Sequence, residues 1–344
     1  MNEIRTIEPF IRLGERLAEE LLDGTIEPVI RRSEAENPWF SRANVVSAIQ
    51  AICTDMLDGR NLGSWLARYP AAGRPSDETV GIVMAGNIPL VGFFDLLCVL
   101  ICDRRCLIKP SSKDRVLIGH IVDLLREIEP RFSIGALEGK VPDRLIASGS
   151  DEARRHFASV YPDTPSLLRG HRYSVAVLSG QESDRQLDGL YDDVFSYFGL
   201  GCRNVSRIFV PPGYDLGRLC RRLSARPITH TGYLNNYRQA RAMRLLSGTE
   251  FIDGGFFLMR PGADKEGPLS EIACTSYESV GSVERLLRER DREIQCVVSA
   301  TLDHPRRVDF GQAQHPSLTD YPDGIDVMEF LLAGSPAPAD RRQL

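Results

Sequence analysis

The residue with the clearest chemical potential in this sequence is Cys202, in the stretch 198–205 (FGLGCRNV). Gly199 and Gly201 precede it, and two glycines so close together allow a tight turn that would present the thiol to another group. Arg203 follows it, and a neighbouring positive charge favours the thiolate that a nucleophilic cysteine requires. The pattern therefore predicts a cysteine nucleophile. The alternative is a packed core thiol on a glycine-containing turn.

A second candidate is the side-chain amide of Asn87, which follows a run of apolar and β-branched residues at 79–84. That run predicts a buried strand. Pro89 suits the first turn of a helix, and Asn87 is a good residue to cap that helix. The amide is thus expected where a strand leads into a helix, and α/β sheets bind ligands at the carboxyl ends of their strands. As the alternative, Asn87 would only cap its helix.

The sequence contains eight cysteines, and all except Cys202 are predicted to be packed. Cys98, Cys102 and Cys106 are four residues apart, which would suit a metal, but no close histidine or acidic cluster completes a set of ligands. We therefore predict no metal site. The irregular spacing of the others indicates free thiols rather than a disulfide framework, and hence a reducing cytoplasm. These others are Cys53, Cys220, Cys274 and Cys296.

Composition narrows the classes of partner. The chain of 344 residues has a net charge of −5 and a pI near 5.8, which argues against nucleic acid as the main partner. No apolar stretch suits a signal peptide or a membrane-spanning helix. We predict a globular cytoplasmic protein that binds neither nucleic acid nor membrane.

From residue 79 onward, short apolar segments alternate with longer helical ones, which is typical of βαβ units and a parallel sheet. The predicted strands are 79–84, 105–109, 143–147, 173–178, 206–210, 256–260, 272–278 and 294–300. The predicted helices are 89–102, 113–129, 151–158, 184–197, 215–225, 235–247 and 281–290, preceded by amphipathic helices at 3–22 and 44–57. A loop at 160–172 predicts a boundary between two α/β domains, 1–170 and 171–325. Residues 326–344 are expected to form a partly disordered C-terminal segment.

Several short blocks occur in the order seen in the aldehyde dehydrogenase superfamily. They are 87–90 (NIPL), 107–111 (LIKPS), 149–150 (GS), 199–202 (GLGC) and 207–210 (RIFV). Within that superfamily, the chain most resembles the bacterial acyl-CoA reductases, including the fatty-acid reductase of bioluminescence systems. The stretches that carry this closer likeness are 198–214 (FGLGCRNVSRIFVPPGY) and 314–321 (QHPSLTDY).

The resemblance implies an aldehyde dehydrogenase-like α/β fold with two α/β domains. Residues 1–170 would form a Rossmann-like NAD(P)-binding domain with N-terminal helices, and 171–325 a catalytic domain, with the active site in the crevice between them. Cys202 would be the acyl-accepting nucleophile. The side-chain amide of Asn87 and the backbone N–H of Cys202 would form the oxyanion hole that acyl transfer needs.

The resemblance also implies a set of cofactor-binding residues. Lys109 would reach the adenosine ribose, the Gly149–Ser150 pair would open a helix that faces the pyrophosphate, and Glu271 would approach the nicotinamide ribose. The full set is Lys109, Ser111, Ser112, Gly149, Ser150 and Glu271. The Glu271 match is loose because residues 273–275 (ACT) differ from the family's Phe-Gly-Pro. The alternatives are a solvated strand end for Lys109, a helix cap for Ser150 and an exposed strand-edge carboxylate for Glu271.

Two departures from the family are informative. Hydrolytic members have a glutamate just before a Gly-Gly pair, where it activates water, whereas residues 166–173 (SLLRGHRY) contain no carboxylate. A thioester without a positioned base hydrolyses slowly, since general base catalysis is worth about 10²–10⁴-fold. His171 as a substitute base is the alternative. At Ser112, NAD-preferring relatives often have a glutamate; serine beside Lys113 would tolerate a 2′-phosphate, so we predict NADPH, with NADH as the alternative.

The resemblance therefore implies NADPH-dependent reduction of an acyl thioester, such as a fatty acyl-CoA or an acyl-carrier thioester, to the aldehyde. Alternatives are a CoA-dependent or ordinary aldehyde dehydrogenase, a cysteine acyltransferase or thioesterase that uses Cys202 without a nicotinamide, and a non-catalytic scaffold. An acyl-activating enzyme partner and a homodimer are expected by analogy.

Overall fold

The computed structural model describes residues 2–333 of the 344-residue chain, with side chains from Thr6 onward. The chain divides into two compact units. The first comprises Met1–His171 and the chain from Ser317 onward, and the second comprises Arg172–Pro316. The break at His171 lies in the loop where the sequence places a domain boundary.

Four helices open the first unit: α1 (Asn2–Asp23), α2 (Glu27–Glu36), α3 (Arg42–Ala51) and α4 (Gly59–Leu66), with a π-helical turn, Ile52–Met56, continuing α3. Apolar residues three and four positions apart bury one face of α1. Phe10, Leu13 and Leu17 on that face are at most 1% exposed. The helical segments predicted at 3–22 and 44–57 are thus confirmed as helical.

The sheet of the first unit has five parallel strands: β1 (Thr79–Val83), β2 (Arg105–Lys109), β3 (Ile134–Ala136), β4 (Arg144–Ser148) and β5 (Ser166–Arg169). Their order is β3-β2-β1-β4-β5, and the connecting helices are α5 (Phe93–Ile101), α6 (Arg115–Ile128) and α7 (Asp151–Val160). The direction of winding reverses between β1 and β4. In doubly wound sheets, such a reversal marks the point where nucleotides bind, at the carboxyl ends of the strands.

Two parts of this sheet differ from the prediction. Strand β5 lies in the loop predicted at 160–172, and β3 lies in a segment for which no element was predicted, because runs of three or four residues are too short to show a periodic pattern. The helix expected at 89–102 begins only at Phe93, and Gly92 is its N-cap. Asn87 therefore does not cap α5, and the capping interpretation of that residue is wrong.

The second unit contains a seven-stranded sheet. Its strands are β6 (Tyr173–Val177), β7 (Val205–Val210), β8 (Ile252–Asp253), β9 (Leu258–Pro261), β10 (Glu271–Ser276), β11 (Ile294–Val298) and β12 (Arg307–Val308). The order is β12-β11-β6-β7-β10-β9-β8, and all pairs are parallel except β8 with β9. Its helices are α8 (Asp184–Phe195), α9 (Leu216–Leu223), α10 (Thr231–Ser247) and α11 (Val280–Glu289).

Two neighbouring strands of this second sheet are buried along their whole length, as parallel strands covered on both faces usually are. Every residue of β6 and of β11 is buried. Reciprocal capping boxes fix the starts of α8, through Ser183 and Gln186, and of α11, through Ser279 and Ser282. The predicted alternation of strands and helices after residue 173 is confirmed.

The chain after Pro316 belongs to the first unit, whereas the prediction assigned residues up to 325 to the second domain. Helix α12 (Val327–Leu332) buries Val327, Met328 and Leu331 completely in the core of the first unit. Before it, the hydroxyl of Tyr321 accepts a hydrogen bond from Trp65 Nε1 at 2.8 Å. This apolar and aromatic packing explains the return of the chain. The predicted disordered tail after about residue 334 lies outside the described residues.

Within residues 2–333, no helix combines the length and the apolar character needed to cross a membrane.

Candidate functional site

The loop that carries Asn87 leaves the carboxyl end of β1 and lies against the loop after β2. The N–H of Met84 donates to the Lys109 carbonyl at 3.0 Å. A Cβ atom on Gly86 would lie 2.5 Å from the Cβ and Oγ of Ser111, so only glycine fits at this close approach. The half-buried Asn87 is thus on a loop whose backbone contacts the predicted cofactor-binding segment.

The buried carboxyl group of Asp114 accepts a hydrogen bond from the same loop. Asp114 is 1% exposed, and its Oδ2 accepts the N–H of Leu90 at 2.8 Å. Leu90 has a left-handed backbone, with φ of 58°, which is a costly conformation for a non-glycine residue. The turn that replaces the predicted first helical turn is therefore stabilised by a contact from the residue that precedes α6.

Burial raises the pKa of Asp114 from 3.8 to about 8, because the carboxylate would lose its hydration. Between these two values the folded protein keeps a proton that the unfolded chain has released. The free energy of unfolding therefore falls as the pH rises through this window, by at most about 1.4 kcal/mol per pH unit from this group.

We expect Asp114→Asn to flatten this dependence, because an amide can accept the Leu90 N–H without titrating. Urea unfolding at a series of pH values between about 4 and 8 measures the slopes of the wild type and the variant. Equal slopes would show that Asp114 is not protonated in the folded protein.

The predicted adenosine-binding residues lie together after β2. Lys109 ends the strand with an exposed side chain, and Ser112 and Lys113 are also exposed. The Ser111 hydroxyl accepts the N–H of Lys113 at 3.3 Å, which forms a tight turn. This arrangement offers one ammonium group at the strand end, a second in the following turn, and hydroxyl groups beside them.

Gly149 and Ser150 follow β4, the strand at the reversal of the sheet. Ser150 caps α7, since its hydroxyl accepts the N–H of Ala153 at 3.2 Å, so the capping interpretation of Ser150 is confirmed. The first turn of α7 also carries Asp151 and Glu152. Two carboxylates beside the positive end of a helix weaken its attraction for a phosphate.

The segment 166–173, which lacks the hydrolytic glutamate, ends β5 with a buried cation. Arg169 is 5% exposed, and its Nη1 donates to Asp95 Oδ2 at 2.7 Å and to Ser148 Oγ at 3.2 Å. A guanidinium cannot act as a general base, because it stays protonated. His171 is exposed, and its backbone N–H donates to Asp151 Oδ1 at 3.1 Å.

The thiol of Cys202 is exposed, and in this it differs from the other seven cysteines in the described residues. Burial raises the pKa of Cys53 to about 11 and the pKa values of Cys102 and Cys274 to about 12. Burial also raises the pKa values of three further thiols, Cys98, Cys106 and Cys220. These groups are poor nucleophiles because they resist ionisation. The alternative that Cys202 is a packed core thiol is wrong.

Backbone and side-chain hydrogen bonds hold the turn around Cys202. The Ser174 hydroxyl donates to the Cys202 carbonyl at 2.9 Å, and Asn204 Oδ1 accepts the N–H of Gly201 at 2.8 Å. Arg203 Nε donates to the carbonyl of Ala313. The predicted tight glycine turn is therefore present, and it lies at the amino end of β7.

A buried carboxylate, Asp193, holds the segment that Arg203 contacts. Its oxygens accept the N–H groups of Gly311 at 2.7 Å and Ala313 at 2.9 Å, and it is fully buried. Burial raises the pKa of Asp193 to about 6, although both backbone hydrogen bonds oppose this rise. Asn204, Ser174 and Asp193 had no recognisable pattern in the sequence, since their partners are from 3 to 122 residues away.

Glu271 is engaged in a buried ion-pair cluster rather than exposed. Its side chain accepts two hydrogen bonds from Arg244, at 3.0 and 2.8 Å, and its Oε2 lies 2.8 Å from Arg260 Nε. The residue is 5% exposed and begins β10, an interior strand between β7 and β9. The interpretation as an exposed strand-edge carboxylate is wrong, and two arginines that the sequence did not indicate already surround the carboxylate.

The predicted residues thus fall into two groups, one in each unit. The first unit holds Asn87 and the segments after β2 and β4. The second holds Cys202, just before β7, and Glu271, at the start of β10; because these two strands are paired in parallel, both residues lie at the amino-terminal end of the sheet. Within the described residues, no three histidine, cysteine, aspartate or glutamate side chains are grouped so that they could hold a metal ion.

No protein-family model and no curated protein sequence matches the chain. Solved structures do match. Aldehyde dehydrogenase 21 from Physcomitrella patens, solved with the reaction product succinate, aligns with a TM-score of 0.67 at 11% identity, over 96% of this chain and 84% of that one. An aldehyde dehydrogenase from Mycobacterium tuberculosis, complexed with NAD+, aligns with a TM-score of 0.64 at 14% identity, over 88% and 74%.

The aldehyde dehydrogenase KauB from Pseudomonas aeruginosa gives a similar result, with a TM-score of 0.65 at 13% identity over 89% of this chain and 73% of that one. Structural similarity at this level establishes the fold, but at identities this low it does not establish the chemistry. The chain has the α/β fold of the aldehyde dehydrogenases.

Proposed function

We propose that this protein reduces an acyl thioester, such as a fatty acyl-CoA, to the aldehyde with NADPH, through a covalent acyl group on Cys202. The observation that carries the proposal is the exposure of this thiol, which sits on a hydrogen-bonded turn in an aldehyde dehydrogenase-like fold, whereas six of the other thiols are buried and Cys53 is half-buried. An exposed thiol on a hydrogen-bonded turn suits attack on a carbonyl carbon.

The chain's own groups carry the acyl transfer. The thiolate of Cys202 attacks the thioester carbonyl, and the Cys202 N–H and the Asn87 amide stabilise the resulting oxyanion. The bond from carbon to the original sulfur breaks, and the leaving thiolate takes a proton from water. A bound nicotinamide cofactor supplies the hydride that reduces the acyl carbon. Cys202 then releases the aldehyde and is again a thiolate.

The end of β5 supports reduction over hydrolysis. An acyl group on Cys202 needs a base to activate water if it is to be released as the acid, and such a base contributes about 10²–10⁴-fold. Segment 166–173 provides no carboxylate, and its buried Arg169 is bound to Asp95. The acyl-enzyme is therefore expected to persist until it is reduced.

The first unit partly fits a dinucleotide. Its strand order reverses between β1 and β4 as in nucleotide-binding sheets, and Lys109, Ser111 and Ser112 present an ammonium group and hydroxyls that suit a ribose and a 2′-phosphate. Gly149 and Ser150 are proposed to face the pyrophosphate, although Asp151 and Glu152 beside them oppose a phosphate. Glu271 is also proposed as a ribose contact, through the lone pair of Oε1 that does not accept the hydrogen bond from Arg244 Nε.

We expect Ser112→Glu to reverse the cofactor preference from NADPH towards NADH, since a carboxylate repels a 2′-phosphate and can accept a hydrogen bond from a 2′-hydroxyl. One repulsive contact of about 1–2 kcal/mol would change the ratio of the two kcat/KM values by about 10-fold. Initial rates with both cofactors and one acyl-CoA measure the ratio. A wild type that prefers NADH would contradict the assignment of NADPH.

The test of the proposal is NADPH oxidation against acyl-CoAs of graded chain length, with the aldehyde detected directly. Stoichiometric aldehyde formation would support reduction. Release of free acid without NADPH consumption would instead favour a thioesterase or acyltransferase. The second candidate has a specific basis, because the acidic first turn of α7 opposes the phosphates of a nicotinamide cofactor. A thermal-shift titration with NADPH separates the two candidates, because NADPH should not stabilise a transferase.

The acyl donor and the partners belong to the same proposal. We expect a CoA or acyl-carrier thioester, delivered by an acyl-activating enzyme, and a homodimer in solution. Light scattering measures the oligomeric state, and a comparison of rates with the CoA and carrier-bound forms of one acyl chain identifies the donor.

A further inference from the structure

The side chain of Asn204 spans the turn that precedes the nucleophile. It is 4% exposed, and its Oδ1 accepts the N–H of Gly201 at 2.8 Å. Its Nδ2 donates to the carbonyls of Ser196 at 2.9 Å, Val194 at 3.2 Å and Asp193 at 3.3 Å. Both ends of the amide are therefore hydrogen-bonded, which offsets the cost of burying its polar atoms.

The segment between these contacts has an unusual backbone. Tyr197, Phe198 and Gly199 have consecutive φ angles of 51°, 58° and 73°. Glycine adopts such angles freely, but the left-handed conformation is unfavourable for the other two residues, because their Cβ atoms crowd the backbone. Asn204 binds the carbonyl just before this segment, on Ser196, and an N–H just after it, on Gly201. It thus joins the two ends of a strained turn.

The same turn sets the direction of the Cys202 backbone N–H. The carbonyl of Gly201 accepts the backbone N–H of Asn204 at 3.1 Å. The peptide bond between Gly201 and Cys202 is trans, so its N–H points away from its carbonyl. The Cys202 N–H is therefore directed away from the interior of the turn. Ser174 fixes the following peptide through the Cys202 carbonyl.

We propose that Asn204 is a positioning residue, which aims the Cys202 N–H at the oxyanion by holding residues 197–199 in their left-handed turn. The inference rests on the proposed function, since it requires Cys202 to accept an acyl group. Asn204 touches neither substrate nor cofactor in this scheme. It acts through Gly201 and the peptide that links Gly201 to the nucleophile.

Two reactions of the Cys202 thiol distinguish whether Asn204 directs the Cys202 N–H or only maintains the turn. Acylation by an acyl-CoA forms an oxyanion and needs the aimed N–H. Alkylation by iodoacetamide displaces iodide from a methylene carbon, so no oxyanion forms and no such donor is required. For Asn204→Ala, we expect acylation to slow by about 10- to 100-fold, less than or equal to the loss of a whole oxyanion donor. We expect the alkylation rate to stay within about 3-fold.

The matched control is Asn236→Ala, because Asn236 lies in the same unit and its side chain donates to the Gly232 carbonyl within α10 rather than to the turn before Cys202. Neither of its rates should change. Should Asn204→Ala fail to fold, Ser174→Ala provides a second test. It removes the hydroxyl that holds the Cys202 carbonyl, on the peptide that follows the nucleophile.

Three results would overturn the proposal. Equal losses in acylation and alkylation would mean that Asn204 only maintains the turn, and unchanged acylation would mean that it does not aim the N–H. If the wild type is alkylated at Cys202 but never acylated, the proposed function fails, and the role of Asn204 fails with it. That last result is distinct, because it appears in the wild type before any variant is compared.

Discussion

Cys202→Ala is expected to abolish both NADPH-dependent aldehyde formation and covalent labelling of the protein by acyl-CoA. Cys202 is the exposed thiol of the described residues, the others there are buried or half-buried, and burial raises the pKa values of Cys102 and Cys274, so we expect no other cysteine to replace it. Because the side chain is exposed, its loss should leave the melting temperature nearly unchanged.

The labelling experiment uses a radioactive or mass-tagged acyl-CoA followed by digestion to locate the modified residue. Cys53→Ala is the matched control, since Cys53 is a half-buried thiol in the other unit, and it should retain full labelling. Labelling that survives in Cys202→Ala would remove Cys202 from the nucleophile's role.

The second large effect is expected for Asn87→Ala, which should lower the rate of acylation by about 10²–10³-fold, the usual consequence of losing one oxyanion donor. The affinity for the thioester should change little, because the donor acts chiefly on charge that develops in the transition state. Asn87 does not cap α5, so its removal should not unfold the helix that follows.

Stopped-flow acylation measures this effect, and the iodoacetamide alkylation rate is its internal control. Asn87→Asp provides a sharper comparison, since it keeps the shape of the side chain but replaces the donating amide by an acceptor. We expect it to be at least as slow as Asn87→Ala at neutral pH. An acylation rate for either variant close to that of the wild type would exclude Asn87 from the oxyanion hole.

The parallel strands could be predicted from the sequence because their burial leaves continuous apolar runs such as 79–84. Strands β3 and β5 could not, since three or four residues show no period. The return of the chain to the first unit after Pro316 could not be predicted from the sequence either. It depends on α12 and on contacts between residues far apart in sequence, such as Tyr321 with Trp65.

The candidate site shows the same division. The glycine turn and the exposed thiol followed from the local pattern of Gly199, Gly201 and Cys202. The start of α5 did not, because Leu90 is held in a left-handed turn by Asp114, 24 residues further along the chain. The local preferences of Asn87 and Pro89 favoured a helix, but the hydrogen bond to this distant buried carboxyl group stabilises a turn instead.

Glu271 illustrates a third case, in which a residue's environment reverses the expectation from its type. A glutamate at the start of a strand is ordinarily exposed. Here β9 and β10 are neighbours and α10 supplies a second arginine, so Arg260 and Arg244 both reach the carboxylate. Burial with two cations nearby is compatible with a glutamate, but these contacts become visible only when the sheet order is known.

The most direct test of the central claim is intact-protein mass spectrometry after incubation with an acyl-CoA in the absence of NADPH. The prediction is a mass increase of one acyl group, located on Cys202, that persists for many minutes and disappears with release of aldehyde when NADPH is added. Absence of the adduct, its placement on another residue, or its prompt loss to water as the free acid would contradict the claim that Cys202 holds an acyl group for reduction.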